Sequence, residues 1–253
     1  MLADVAHERQ PCLLAFDTAT ERMAVAVGVP GRVFTRVAEG GAAASATLLP
    51  TLRALLTEAG HTLADVTAIG FGRGPGAFTG LRTSAAVAQG LAFGIGVQVL
   101  PIDSLLIVAE DARAALAGGA AGGASFDVGV AMDARMGEVY AGRYRFDGTR
   151  WLTTGVQALW APEAVAAAWA DGAAPHCVAG TALTAFEGRV AWPATARQVP
   201  AEADRAAALW RLVQAAWQAG EAVDAALALP VYLRDKVAFT TAEREAARTA
   251  KTA

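Results

Sequence analysis

Twice along this chain, apolar runs of strand length joined by turn residues are followed by segments of helical period. That repeated order restricts the fold more than any other feature. In "CLLAFDTATERMAVAVGVPGRVFTRVAEG" the runs Leu13 to Phe16, Met23 to Val29 and Val33 to Val37 read as three strands, with Pro30-Gly31 as a turn. In "ATLLPTLRALLTEAG", Leu48, Leu49, Leu52, Leu55, Leu56 and Ala59 form a helical stripe that Gly60 stops. The strand "VTAIGFG" leads through a glycine loop into a second helix, with Thr79 as its expected N-cap and its end near Gly94. The strand "VQVLPI" and the helix "SLLIVAEDARAAL", capped by Ser104, complete the first half.

After "AGGAAGGAS" at 117–125, expected to be a surface loop, the order resumes. "DVGVAMDARMGEVYAGRYRFDGTRWLTTG" gives three more strands with Asp147-Gly148 as a hairpin turn. Helices follow at about 162–170 and 203–219, with the strand "HCVAG" between them. Two related halves, each a mixed sheet with helices, make an α/β protein. Apolar periodicity stops after Phe239, so the last residues read as a surface tail.

The 253 residues carry a formal net charge of -3, and Lys occurs only at Lys236 and Lys251. The Arg are scattered, with none of the concentrated basic face that phosphate neutralisation requires of an RNA-gripping protein. Any nucleic-acid role is therefore expected to be indirect. Cys12 and Cys177, far apart in apolar surroundings, read as free buried thiols. The first eleven residues lack the apolar core of a signal peptide, and the run 85–100 is too broken to span a membrane. A soluble, cytoplasmic protein with no membrane partner is the expectation.

The stretch "GFGRGPGAFTGLRTSAAVAQGLAFG" raises the possibility of a phosphate cradle. A Walker loop needs Lys-Ser or Lys-Thr after its last glycine, and here Leu81-Arg82 follows Gly80. No three of Gly72, Gly74, Gly76 and Gly80 have dinucleotide-fingerprint spacing, and Pro75 removes an amide. An anion at the helix start stays open as one reading. The other is packing: Gly80, Ser84, Ala88 and Ala92 recur every four residues and leave one side of the helix flat, ready for a second helix at close range. On that reading Gly74-Pro75-Gly76 is a stiff turn aiming the helix at a partner.

"FDTAT" places Asp17 and Thr18 at a strand end before a turn, as in the first phosphate loop of the acetate-kinase, hexokinase, Hsp70 and actin superfamily. That loop has glycine where Ala19 stands here. Asp133 in "AMDARMGEVY" occupies the equivalent place in the second half. Each Asp is either functional or a strand-end residue bonded to nearby amides. Glu138 and Tyr140, two apart on a strand, share one side, which is a partner surface or a solvent face. His7, His61 and His176 have no zinc-site spacing, and Ser45, Ser84, Ser104 and Ser125 lie in no Gly-x-Ser-x-Gly elbow. Neither a metal site nor a hydrolase can be assembled.

"LAFDTATERMAVAVG", "FGRGPGAFTGLRTSAAVAQGLA", "MDARMGEVY" and "PVYLRDKVA", in that order, resemble the TsaB (YeaZ) family of tRNA threonylcarbamoyladenosine biosynthesis proteins from Leu13 to about Arg244. The resemblance implies a two-lobed ASKHA fold (actin, Hsp70 and sugar-kinase-like) without catalysis of its own. Its expected parts are a first lobe at 1–102, a degraded second lobe at 103–234 and a tail at 235–253. It implies pairing with TsaD, which carries the metal and the threonylcarbamoyl transfer, and association of the ATPase TsaE with that pair. ATP and metal are thus expected on TsaD and TsaE, with no cofactor on this chain. It also implies a homodimer through the same helices when TsaD is absent.

Carried over residue by residue, the partner surface falls on Ser45, Leu48 and Leu52 of the first helix. It continues through Arg73, Gly74, Pro75 and Gly76 to Thr79, Gly80, Arg82, Ser84 and Ala88 of the second. Asp17, Thr18 and Asp133 would be remnants of a nucleotide site. One departure is Ala44, which stands before Ser45 where family members commonly have His. The alternative from a different class is a free-standing ATP-dependent kinase or ATPase of the same fold.

Overall fold

The computed structural model describes residues 11–116, 124–170 and 174–234. The expected leader-free start (residues 1–10), most of the loop at 117–125 and the tail at 235–253 lie outside these residues. The first sheet has the order β3-β2-β1-β4-β5. Its strands are β1 (Cys12–Asp17), β2 (Arg22–Val29), β3 (Arg32–Glu39), β4 (Val66–Gly74) and β5 (Gln98–Asp103). The meander β1-β2-β3 is antiparallel, while β4 and β5 run parallel to β1.

Alternation along these strands assigns the two faces. Leu14, Phe16, Val25, Val27, Ile69 and Phe71 are buried beneath α1 (Ala44–Ala59) and α2 (Phe78–Ile95). The opposite face is built from smaller residues, Ala15, Ala24, Ala26 and Ala68, and α6 (Arg205–Gln218) lies on it. The approach is so close that a Cβ on Gly28 would stand 1.7 Å from Trp210, and one on Gly70 would stand 2.3 Å from Val213. Large residues on one face and small on the other are therefore set by the two depths of helix packing.

The second sheet has the order β11-β10-β6-β7-β8, with β9 also paired to β7. Its strands are β6 (Phe126–Asp133), β7 (Val139–Phe146), β8 (Trp151–Thr153), β9 (Ala158–Trp160), β10 (Cys177–Ala179) and β11 (Arg197–Val199). Helices α4 (Pro162–Ala170) and α5 (Ala182–Ala185) flank one face, where Trp169, Phe186 and Trp192 fill the core. On the other face α3 (Ser104–Leu116) contributes Leu105, Val108, Ala109 and Ala112. The two halves expected from the sequence are present as two mixed sheets with helices.

The expected cut at 102/103 falls inside β5, before its last residue, and α6 and the bridge between Val99 and Val223 return late sequence to the first sheet. Polar groups tie the lobes across α3. Tyr144 Oη donates to Asp103 Oδ2 at 2.6 Å, and Trp151 Nε1 donates to Glu110 Oε2 at 3.0 Å. Burial pushes the Asp103 carboxyl above its usual range, against hydrogen bonds from Tyr144 and the Leu105 N–H that pull it down. Burial also acts to raise Glu110, but its bonds from Arg113 and Arg211 outweigh that and hold it below the usual range. Cys12 and Cys177 are free, buried and in different sheets, each thiol raised to about 11 by burial.

Two expected caps are corrected. Helix α2 begins at Phe78 with Ala77 as N-cap and no side-chain bond there, so Thr79 lies inside the first turn. The helix runs past Gly94 to a left-handed Gly96, φ 73°. Ser104 does not cap α3: Asp103 Oδ1 accepts the Leu105 N–H at 2.9 Å, and the Ser104 hydroxyl turns inward.

Candidate functional site

At the end of β1 every polar group of Asp17 and Thr18 meets another part of the chain. Asp17 is fully buried: Oδ1 accepts the Ala19 N–H at 2.9 Å and Arg205 Nη2 at 3.1 Å, and Oδ2 accepts the Ser104 hydroxyl at 2.6 Å. The Asp17–Arg205 pair is inaccessible on both sides. Burial works against the Arg205 charge, yet Glu202 and Asp17 beside it raise its pKa above the usual arginine range. Gly72 makes room for this carboxylate, since a Cβ there would lie 1.6 Å from Asp17 Oδ2.

Thr18 binds α2. Its N–H donates to Ser84 Oγ at 3.2 Å, and its hydroxyl donates to the Gly80 carbonyl at 2.7 Å. The Ala77 N–H donates to the Ala19 carbonyl at 2.8 Å. A Cβ on Gly80 would stand 1.9 Å from the Thr18 carbonyl oxygen, and one on Gly76 would stand 2.5 Å from that of Ala19. The glycine loop thus brings the start of α2 into backbone contact with the β1–β2 loop.

Part of the expected partner surface is buried in the lone chain. Gly80, Ser84, Ala88 and Ala92 face inward and are buried, as are Leu48 and Leu52 of α1. The flat stripe meets its close neighbour within the same chain. Gly74 and Pro75 are also buried, joined by a cis peptide, and Gly76 is half-buried. Ser45, Arg73, Thr79 and Arg82 are exposed. The outward face of the two helices instead carries Leu49 and Phe93, 44% and 61% exposed, together with Ala46, Pro50, Ala86, Gly90 and Gly94. A Cβ on Gly90 or Gly94 would meet nothing within 4 Å, so that face is open.

The second half repeats the motif in a looser form. Asp133 is half-buried: its N–H donates to Thr181 Oγ1 at 3.1 Å and its Oδ1 accepts the Arg135 N–H at 2.8 Å. Arg135, Met136 and Gly137 follow at φ 63°, 58° and 78°, a turn in the left-handed region that non-glycine residues rarely adopt. Arg234 holds it: its guanidinium donates to the Ala134 carbonyl at 3.0 Å and pairs with Glu138 at 2.8 Å. Tyr140 and Arg234 line a cleft between the lobes, and Glu138 pairs with that Arg234.

That cleft has a volume of about 520 Å³ and is lined from the first lobe by Ala19, Thr20, Pro75 and Phe78 and from the second by Met132, Asp133, Met136 and Tyr140. Arg205 forms part of its wall, and its Nε has no acceptor among the described residues. The first loop fits a nucleotide phosphate poorly. Ala19 fills the glycine position, and the Thr18 and Ala19 amides already donate within the chain. Among the described residues no group of three or more His, Cys, Asp or Glu stands close enough to hold a metal ion. None of their helices is long and apolar enough to cross a membrane.

Sequence reading missed Arg205 and the outward phase of α1 and α2. A signal for Arg205 exists: it shares a helical face with Leu209 and Leu212, so a charge there requires a buried partner.

Residues 40–176 match the family model "TsaD: tRNA N6-adenosine threonylcarbamoyltransferase". The chain is 31% identical to the tRNA threonylcarbamoyladenosine biosynthesis protein TsaB of Escherichia coli over 90% of its own length and 96% of the relative's. Against the TsaB of Haemophilus influenzae the identity is 39%, over 51% of each chain. The structure of YeaZ from Pseudomonas aeruginosa superposes with a TM-score of 0.76 at 40% identity, covering 88% of this chain and all of that one. Matched along nearly its whole length in both sequence and fold, the chain belongs to the TsaB (YeaZ) family.

Proposed function

We propose that this chain acts in tRNA threonylcarbamoyladenosine biosynthesis as a non-catalytic subunit that binds and activates TsaD. TsaD supplies the metal and the transfer of the threonylcarbamoyl group to the adenosine beside the anticodon, and TsaE joins the pair. The observation that carries this reading is the closed state of the first loop. Asp17, the residue a kinase of this fold would aim at its ligand, is fully buried against Arg205 and Ser104. A carboxylate held in a buried pair serves the fold and is not free to act as base or metal ligand at the cleft.

The outward face of α1 and α2 supplies the docking surface, apolar at Leu49 and Phe93 and flat at Gly90 and Gly94. The same face would pair two copies of the chain when TsaD is absent. Contact with tRNA is then left to the partner, in keeping with a net charge of -3. Size exclusion with light scattering, on the chain mixed with TsaD of the same organism, tests the reading. A one-to-one complex is expected, lost in Leu49→Arg while the melting temperature of the lone chain is unchanged. No complex with the unmodified chain would refute it.

A second reading, a free-standing kinase or ATPase, draws on the cleft volume and the unmatched Nε of Arg205. ATP turnover by the lone chain would favour it.

A further inference from the structure

Helix α2 has neighbours on both flanks. Helix α1 packs over β2 and β3, α2 over β4, and β5 ends the sheet on the side away from α1. There Val223 bridges to Val99, and the chain from 223 to 232 runs back along α2 as a strap. Near the C-terminal half of α2, Gln89 Nε2 donates to the Ala225 carbonyl at 3.3 Å, and Ala225 and Ala228 are buried in the core that holds Ala88 and Ala92. Near the N-terminal end, the Val231 N–H donates to the Arg73 carbonyl at 2.7 Å and Tyr232 packs on Phe78 with ring centres 5.1 Å apart. The Arg82 guanidinium lies 3.8 Å from the centre of the Phe78 ring, and its Nε donates to Tyr232 Oη at 3.3 Å.

With Ala225 and Ala228 turned in and both ends fixed, the strap turns Leu227 and Leu229 outward, 58% and 60% exposed, and Tyr232 at 41%. Of the ten large hydrophobic side chains exposed among the described residues, these three plus Leu49 and Phe93 belong to α1, α2 and the strap. Half of the exposed apolar side chains on three adjoining elements is the pattern of an interaction surface rather than of scattered surface residues.

We propose that the strap is the third element of the docking face, and that Leu227 and Leu229 seat against the same TsaD-type partner that α1 and α2 engage. This rests on the docking reading above. The partner follows from continuity: the strap shares its core with α2, so a protein lying on the outward face of α2 meets Leu227 and Leu229 at its edge. Because the strap's backbone is already pinned, burying its two leucines costs only side-chain ordering at the moment of binding.

The test is the dissociation constant of the complex between the full chain and TsaD, by titration calorimetry, for Leu227→Ser/Leu229→Ser beside Leu49→Arg. The strap variant is expected to bind at least about tenfold more weakly, with the melting temperature of the lone chain unchanged because both leucines are exposed. Unchanged affinity in the strap variant, with binding lost in Leu49→Arg, overturns the strap proposal and leaves the docking reading intact. Unchanged affinity in both variants overturns both. If the strap variant alters only self-association of the lone chain, the ridge belongs to a homodimer and the proposal fails.

Discussion

Asp17 and Asp133 end equivalent strands in two copies of one motif, and the chain treats them differently. Asp17 is buried, paired with Arg205 and bonded to Ser104, at a point where β1, α3 and α6 meet. Asp133 is half-buried at the cleft and bonds to its own turn and to Thr181. A strand-end carboxylate becomes part of the fold when a late helix supplies a counter-charge, and otherwise stays at the surface of the cleft. The first loop thereby also fixes α2, because Thr18 holds Gly80 and Ser84.

The largest difference is expected between the two carboxylates themselves. Asp17→Asn removes one partner of a buried pair and should cost about 3–5 kcal/mol in chemical denaturation. Asp133→Asn keeps an oxygen for the Arg135 amide and should stay within about 0.5 kcal/mol. Equal losses at the two sites would erase the distinction.

The loops' glycines come next. Gly80→Ala forces a Cβ against the Thr18 carbonyl and should cost about 1–3 kcal/mol, read from the same denaturation curves. Gly137 has open space around it but φ 78°, so Gly137→Ala should cost about 1 kcal/mol, from backbone strain alone.

The smallest contrast lies in the hydroxyls that receive each loop's amide. Ser84→Ala strands the buried Thr18 N–H and should cost about 1–2 kcal/mol, while Thr181→Ala, at an exposed amide, should cost under about 1 kcal/mol. A thermal-shift series of the two variants separates them. A larger loss at Thr181 would mean that the second loop is the more tightly built of the two.

Both sheets were legible in the sequence because β1, β2, β4 and β6 are nearly continuous apolar runs that only a covered sheet can bury. The small-residue stripe of α2 was legible as a flat surface but not as an inward one. Its neighbour is Thr18, 66 residues from Ser84, and periodicity within one helix does not say which surface it meets. The Asp17–Arg205 pair, separated by 188 residues, lay further out of reach for the same reason. On α1, Leu49 was read into the apolar stripe although it sits at its edge, and the structure turns it to solvent. The short strands β9 and β11, of three residues each, are too brief to show a period.

The central claim is that the cleft of this chain does no chemistry. It is tested most directly by the rate of tRNA threonylcarbamoyladenosine formation in a system reconstituted from TsaD, TsaE, ATP, threonylcarbamoyl adenylate as donor, tRNA and this chain carrying Asp133→Asn. Asp133 is a cleft carboxylate whose change to Asn is expected to leave the fold intact. The account predicts a rate within about twofold of the unmodified chain. A fall of about a hundredfold or more, with the TsaD complex still formed, is what losing a catalytic carboxylate would produce, and it would contradict the account.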